Sequence, residues 1–136
     1  MRISEVMKTK FVPLEDVLVI HEMVIEEAGG KQGVRDFLLF HSAIHRPQAS
    51  FGGQDLYPGL FEKASALTHS LLLNHPFLDG NKRTALAVCE RFLYINGFEV
   101  SAGQKEKVNF TLGIESKKLD LTKIASWLKK HSKKRK

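Results

Sequence analysis

With 136 residues, 43% of them hydrophobic and 26% charged, the chain has material for one domain with its own core and not for two. That charge content and nine Phe exclude a disordered chain, the longest run free of Asp, Glu, Lys and Arg (residues 64–78) is too short and too polar to span a bilayer, and charges in MRISEVMKTK stand where a secretory signal has its apolar run. The net charge of +6 lies at one end: residues 129–136, KKHSKKRK, hold six cations and no anion, which leaves 15 against 15 in residues 1–128. A cytoplasmic protein without a membrane partner is expected.

Helix-type spacing outweighs strand-type alternation along nearly the whole chain. The first predicted helix starts at Pro13, carries Leu14, Val17, Leu18, His21, Val24, Ile25 and Ala28 on one stripe, and stops at Gly29-Gly30. A second runs from about Arg35 to His45 and ends before Pro47, because the residue preceding a proline is disfavoured in α geometry. Residues 49–58, ASFGGQDLYP, read as a loop or short hairpin around Gly52-Gly53. A third helix, about Leu60 to Asn74, presents Leu60, Ala64, Leu67 and Leu71; a fourth, about Lys82 to Asn96, presents Leu86, Cys89, Phe92 and Leu93 before Gly97. Two more fit the end of the chain, roughly Gln104 to Glu115, and then Leu121 onward with Asp120 as N-cap. The expectation is an all-α domain of six helices over residues 1–128, followed by a solvated, frayed basic tail over 129–136 with at most a weak hold on nucleic acid.

The stretch between the third and fourth helices, His75 to Thr84, concentrates chemistry. Pro76 turns His75 out of helical geometry, and Gly80 lets the backbone approach a ligand without a Cβ in the way. The first N–H groups of a helix have no intrahelical acceptor and lie at the positive end of its dipole, so Gly80 to Arg83, including Asn81, make a cradle for phosphate. Lys82 and Arg83 add full charges there. A carboxylate beside such a cradle makes sense with a divalent cation between, which marks Asp79 as a Mg²⁺ ligand. His75 is largely neutral at cytoplasmic pH and can take a proton from a hydroxyl, while Phe77 points into the core and anchors the loop. Singly, each residue also suits a cap, a turn or a solvated surface. Their joint spacing matches phosphoryl or nucleotidyl transfer.

HPFLDGNKRT resembles the central motif of the Fic/Doc superfamily, written H-x-F-x-[DN]-[AG]-N-K-R in the Doc (death-on-curing) branch and H-P-F-x-x-G-N-G-R-x-x-R in the Fic branch. Gly33-Val34-Arg35-Asp36, Arg46-Pro47-Gln48, Phe51-Gly52-Gly53, Leu56-Tyr57-Pro58 and Phe92 to Gly97 are similar to Doc-type sequence too, and the similarity covers about Leu14 to Lys129. The resemblance implies a compact helical bundle with a short flap before its third helix. It implies ATP and Mg²⁺ as cofactors, His75 as general base, Asp79 as metal ligand, Gly80 and Asn81 as parts of the anion site, and Lys82 and Arg83 as phosphate clamp. Phe51, Gly52, Gly53 and Tyr57 would form the flap that positions the target.

Fic proteins transfer AMP to a protein hydroxyl; Doc-type toxins phosphorylate a threonine of elongation factor Tu and stop translation. Lys82 stands where the Fic branch has Gly, and Leu86 where it has a second Arg, which favours phosphoryl transfer. Adenylyl transfer and a catalytically silent interaction module are the alternatives. A small antitoxin of the Phd type, folding onto the toxin, is the implied regulator. Self-inhibited Fic proteins carry [ST]-x-x-x-E-[GN]; Thr111 to Glu115 is followed by Ser116 and reads as a chance match in a packed helix. His41 and His45 share a helix face but lack a third metal ligand, and Cys89, the only cysteine, lies on an apolar stripe.

Overall fold

The computed structural model describes residues 8–136. Pro13, in extended geometry, leads into α1 (Leu14–Ala28), where Glu15 and Asp16 complement the helix dipole in the first turn and Gly29, at φ 85°, breaks the last. Val17, His21 and Ile25 recur at steps of four and form the buried stripe. The second helix, α2 (Phe37–His45), starts two residues later than its apolar spacing predicts, because the Asp36 side chain accepts the Leu39 N–H at 3.0 Å and caps it. A 3₁₀ turn, Arg46–Gln48, then leads to a hairpin of β1 (Ser50–Phe51) and β2 (Gln54–Asp55). Gly52 and Gly53 both have positive φ, as a two-residue hairpin turn requires.

α3 (Leu60–Asn74) is the central helix, buried on most of its circumference and packed against α2, α4 (Asn81–Ile95) and α6 (Leu121–Lys130). Leu71 and Leu72 of α3 meet Phe40, Phe77, Phe92, Leu93, Ile124 and Leu128 in the core. β3 (Phe98–Val100) and α5 (Gln104–Glu115) lie between α4 and α6, and Asp120 caps α6 by accepting the Lys123 N–H at 2.9 Å. Among the described residues, six helices and two small sheets make a mostly α domain. No helix among the described residues is long and apolar enough to cross a membrane.

The chain end departs from expectation. α6 continues to Lys130, and Ser132–Lys134 form β4, paired antiparallel with β3 in the register Phe98↔Lys134, Glu99↔Lys133 and Val100↔Ser132. The Arg135 N–H reaches the Gly97 carbonyl at 3.0 Å, and its guanidinium lies 4.3 Å from the centre of the Tyr94 ring. A domain boundary at 128 therefore cuts a helix, and the basic tail is part of the fold. Backbone pairing, which charge content does not report, decides this.

The hairpin is held from below by two cations. Lys63, almost fully buried, donates to the Asp55 carboxylate at 3.0 Å and to the Tyr57 carbonyl. Arg46 donates to the Tyr57 hydroxyl at 3.0 Å, Ser70 Oγ at 2.7 Å and His69 Nδ1 at 3.0 Å, which requires the imidazole to be neutral. Burial, aided by the Arg46 charge, holds His69 below its usual pKa. The unfolded chain takes up a proton near pH ~6.5 that the folded chain refuses, so this contribution to stability is complete above that pH and is lost as pH falls below it. Urea midpoints at pH 7.5 and 5.5 should therefore fall more in the natural chain than in His69→Asn; equal losses would remove His69 as the cause.

Candidate active site

α3 ends where its sequence runs into Pro76, and the preceding residue, His75, takes the left-handed conformation (φ 46°, ψ 58°) that glycine usually fills at this place. The chain then turns through 76–80 into the N-terminus of α4. Three neighbours hold this turn. Phe77 is fully buried, 5.2 Å from the Phe40 ring and stacked at 3.9 Å on His21, while the Asn81 side chain accepts the Phe77 N–H and donates to its carbonyl, both at 3.0 Å. His21 bonds the Asp79 carbonyl at 2.8 Å; a carbonyl only accepts, so His21 carries its proton on Nε2.

The third neighbour is the loop between α1 and α2, which runs along the turn like a strap. Val34 pairs with Phe77, the Leu78 N–H reaches the Gly33 carbonyl at 3.1 Å, and the Lys31 N–H reaches Asp79 Oδ2 at 2.8 Å. Arg35 donates from Nε to the His75 carbonyl at 2.7 Å and from Nη2 to the Asn74 carbonyl at 2.9 Å. Gly80 (φ 76°) could not be another residue without a shift, since a Cβ there would stand 2.8 Å from Ile25 Cδ1.

These contacts surround a cleft of ≈470 Å³ lined by His75 and residues 77–83, with Arg35 on one side and Glu115 on another. The amides of Asn81, Lys82 and Arg83 open α4 without an intrahelical acceptor, so the cleft floor combines a helix N-terminus with two cationic side chains. His75 stands at the mouth with its side chain 53% exposed. The structure thus brings His75, Asp79, Gly80, Asn81, Lys82 and Arg83 to one cleft, with the Asn81 side chain turned to the loop backbone. Phe51, Gly52, Gly53 and Tyr57 do not line it: Phe51 is 83% exposed at the hairpin, and Tyr57 borders a separate groove beside Leu121 and Ser126.

Glu115, read from sequence as a chance match, reaches the cleft from the last turn of α5. Its Oε1 pairs with Lys82 Nζ at 3.2 Å and its Oε2 lies 3.9 Å from His75 Nε2. The Thr111 to Glu115 spacing was its one sequence signal. His21 and Arg35 carried none as site residues, because their partners are backbone carbonyls more than 35 positions away. Elsewhere, burial pushes the Cys89 thiol up to about 12, which removes it as a nucleophile. His41 and His45 stack at 4.1 Å, and the described residues hold no cluster of three or more His, Cys, Asp or Glu fit for a metal.

A bundle around a central helix, with a His-to-Arg loop opening the next helix into an anion cradle, defines a class. The sequence profile of the Fic/DOC family matches residues 11–93, and the chain belongs to that family. Among curated proteins it is similar to Toxin Doc of Mycolicibacterium smegmatis, 46% identical over 94 residues that cover 69% of this chain and 70% of the relative. It is also similar to the protein named Protein kinase doc from Escherichia phage P1, 28% identical over 116 residues covering 85% and 90%.

Proposed function

We propose that the chain is a Doc-type toxin that transfers the γ-phosphate of ATP to a Ser or Thr hydroxyl of a translation factor, elongation factor Tu. The observation that carries this reading is the convergence, in one cleft, of a half-exposed His75 with the α4 amide cradle, Lys82 and Arg83. The choice of phosphate over AMP is supported by Lys82 and by Leu86, which lines a groove with Arg83, Lys107, Val108 and Leu112 where a second arginine would add a clamp. The name of the phage relative, a protein kinase, points the same way.

In this mechanism the cradle amides and the two cations hold the polyphosphate, and Arg83 offers two parallel donors to its oxygens. His75 takes the proton of the target hydroxyl as that oxygen bonds to the γ-phosphorus and the bond to the β-phosphate oxygen breaks, releasing ADP. Asp79 suits a hard divalent cation: the Lys31 amide aims its Oδ2, Oδ1 has no hydrogen-bond partner among the described residues, and a single carboxylate is the usual protein share of a Mg²⁺ site completed by phosphates and water. Mg²⁺ held by Asp79 would supply charge neutralisation for the phosphates of ATP. A small antitoxin of the Phd type is the proposed regulator, in keeping with the name of the mycobacterial relative, a toxin.

The test is incubation with Mg²⁺, elongation factor Tu and ATP labelled at the α or the γ position, alongside His75→Ala. Label from γ alone, reduced at least ~100-fold in the mutant, is expected. Label from α would make the chain an AMP transferase, and none from either would leave a binding module.

A further inference from the structure

We infer that Arg35 is the positioning residue for the base, holding the His75 main chain in the conformation that presents its imidazole at the cleft mouth. The inference rests on His75 being the proton acceptor proposed above. Two peptide planes flank the His75 Cα, one bearing the Asn74 carbonyl and the other the His75 carbonyl. Arg35 bonds both, Nη2 to the first at 2.9 Å and Nε to the second at 2.7 Å. A planar fork that fixes both planes fixes the rotation of each about that Cα, and so fixes φ and ψ of His75.

The restraint has work to oppose. His75 is a non-glycine residue at φ 46°, a region where its Cβ is crowded, and its two carbonyls belong to a helix end that provides them no N–H partner. The guanidinium satisfies both carbonyls and puts its charge at the negative end of the α3 dipole. Arg35 is itself braced: its own N–H reaches the Pro76 carbonyl at 2.7 Å, and the Asp36 N–H reaches the same oxygen at 3.2 Å. The arginine therefore grips the loop one and two residues before the point where its backbone leans on it. Because Arg35 also lines the cleft, the rival role is direct contact with phosphate.

The two roles separate in the kinetics of the full chain with elongation factor Tu and ATP. Positioning predicts that Arg35→Gln lowers kcat by about 30- to 100-fold with the ATP KM within twofold, the scale at which a misplaced reacting group loses rate. Arg35→Lys, able to reach one carbonyl, should fall between the two. Histidine ring NMR of the ligand-free protein gives an independent reading: the His75 resonances should move in Arg35→Gln while those of His69 and His131 stay in place, which also shows that the fold is intact. A kcat unchanged, or a tenfold rise in ATP KM at constant kcat, or unmoved His75 resonances, would overturn the inference. If the natural chain transfers no label yet Arg35→Gln displaces the His75 resonances, the positioning stands and the proposed reaction falls.

Discussion

Asp79→Asn is expected to cut ATP-dependent transfer by at least ~100-fold while leaving the fold in place. Asparagine keeps the length and an oxygen that can accept the Lys31 N–H, and the Asp79 main-chain carbonyl keeps its bond to His21, so the local geometry survives. The loss is the charge that makes a hard cation stay beside two cationic side chains. Circular dichroism and the melting temperature should match those of the natural chain, and raised Mg²⁺ should recover part of the rate. Full activity of the Asn variant at low Mg²⁺ would remove Asp79 from the metal site.

Phe77→Ala has the largest expected effect on stability, about 3–5 kcal/mol. Its ring is buried between His21 and Phe40. Set against the roughly 5–15 kcal/mol that holds a domain of this size together, the loss brings the protein close to its unfolding threshold. Phe77→Leu, which keeps most of the volume, should cost about 1.5 kcal/mol or less. Urea unfolding measures both, and an Ala variant within 1 kcal/mol of the natural chain would show that the loop is anchored by its hydrogen bonds to Asn81 and Gly33 instead of by this ring. Where the Ala variant remains folded, its activity should still fall, since Phe77 is the pivot between the base and the cradle.

The helices were legible because their signals are local. Leu60–Asn74 and Gln104–Glu115 have the bounds that apolar spacing gives, and Asp120 caps α6 as its residue type suggests. Most of the motif residues were legible because nine consecutive positions hold them. What could not be read is what reaches across the chain: the strap from Gly29 to Asp36, the His21 bond to Asp79, Glu115 in the cleft and the pairing of β4 with β3. Each depends on a partner remote in sequence, and most of these partners are backbone atoms, which have the same chemistry at every position. The hairpin was placed correctly between α2 and α3, but sequence alone did not tell that Phe51 to Gly53 and Tyr57 lie off the cleft lining.

The strap also changes what counts as a transferable part. Grafted into another scaffold, HPFLDGNKRT alone would lose the amides, carbonyls and guanidinium of residues 31–36 that meet it one after another, as well as the imidazole beneath it. The smallest portable unit is two segments, the end of α1 with its following loop and the junction of α3 with α4, carried together in fixed register. Exchange of material between relatives should accordingly succeed when both segments come from one parent and fail when they come from two.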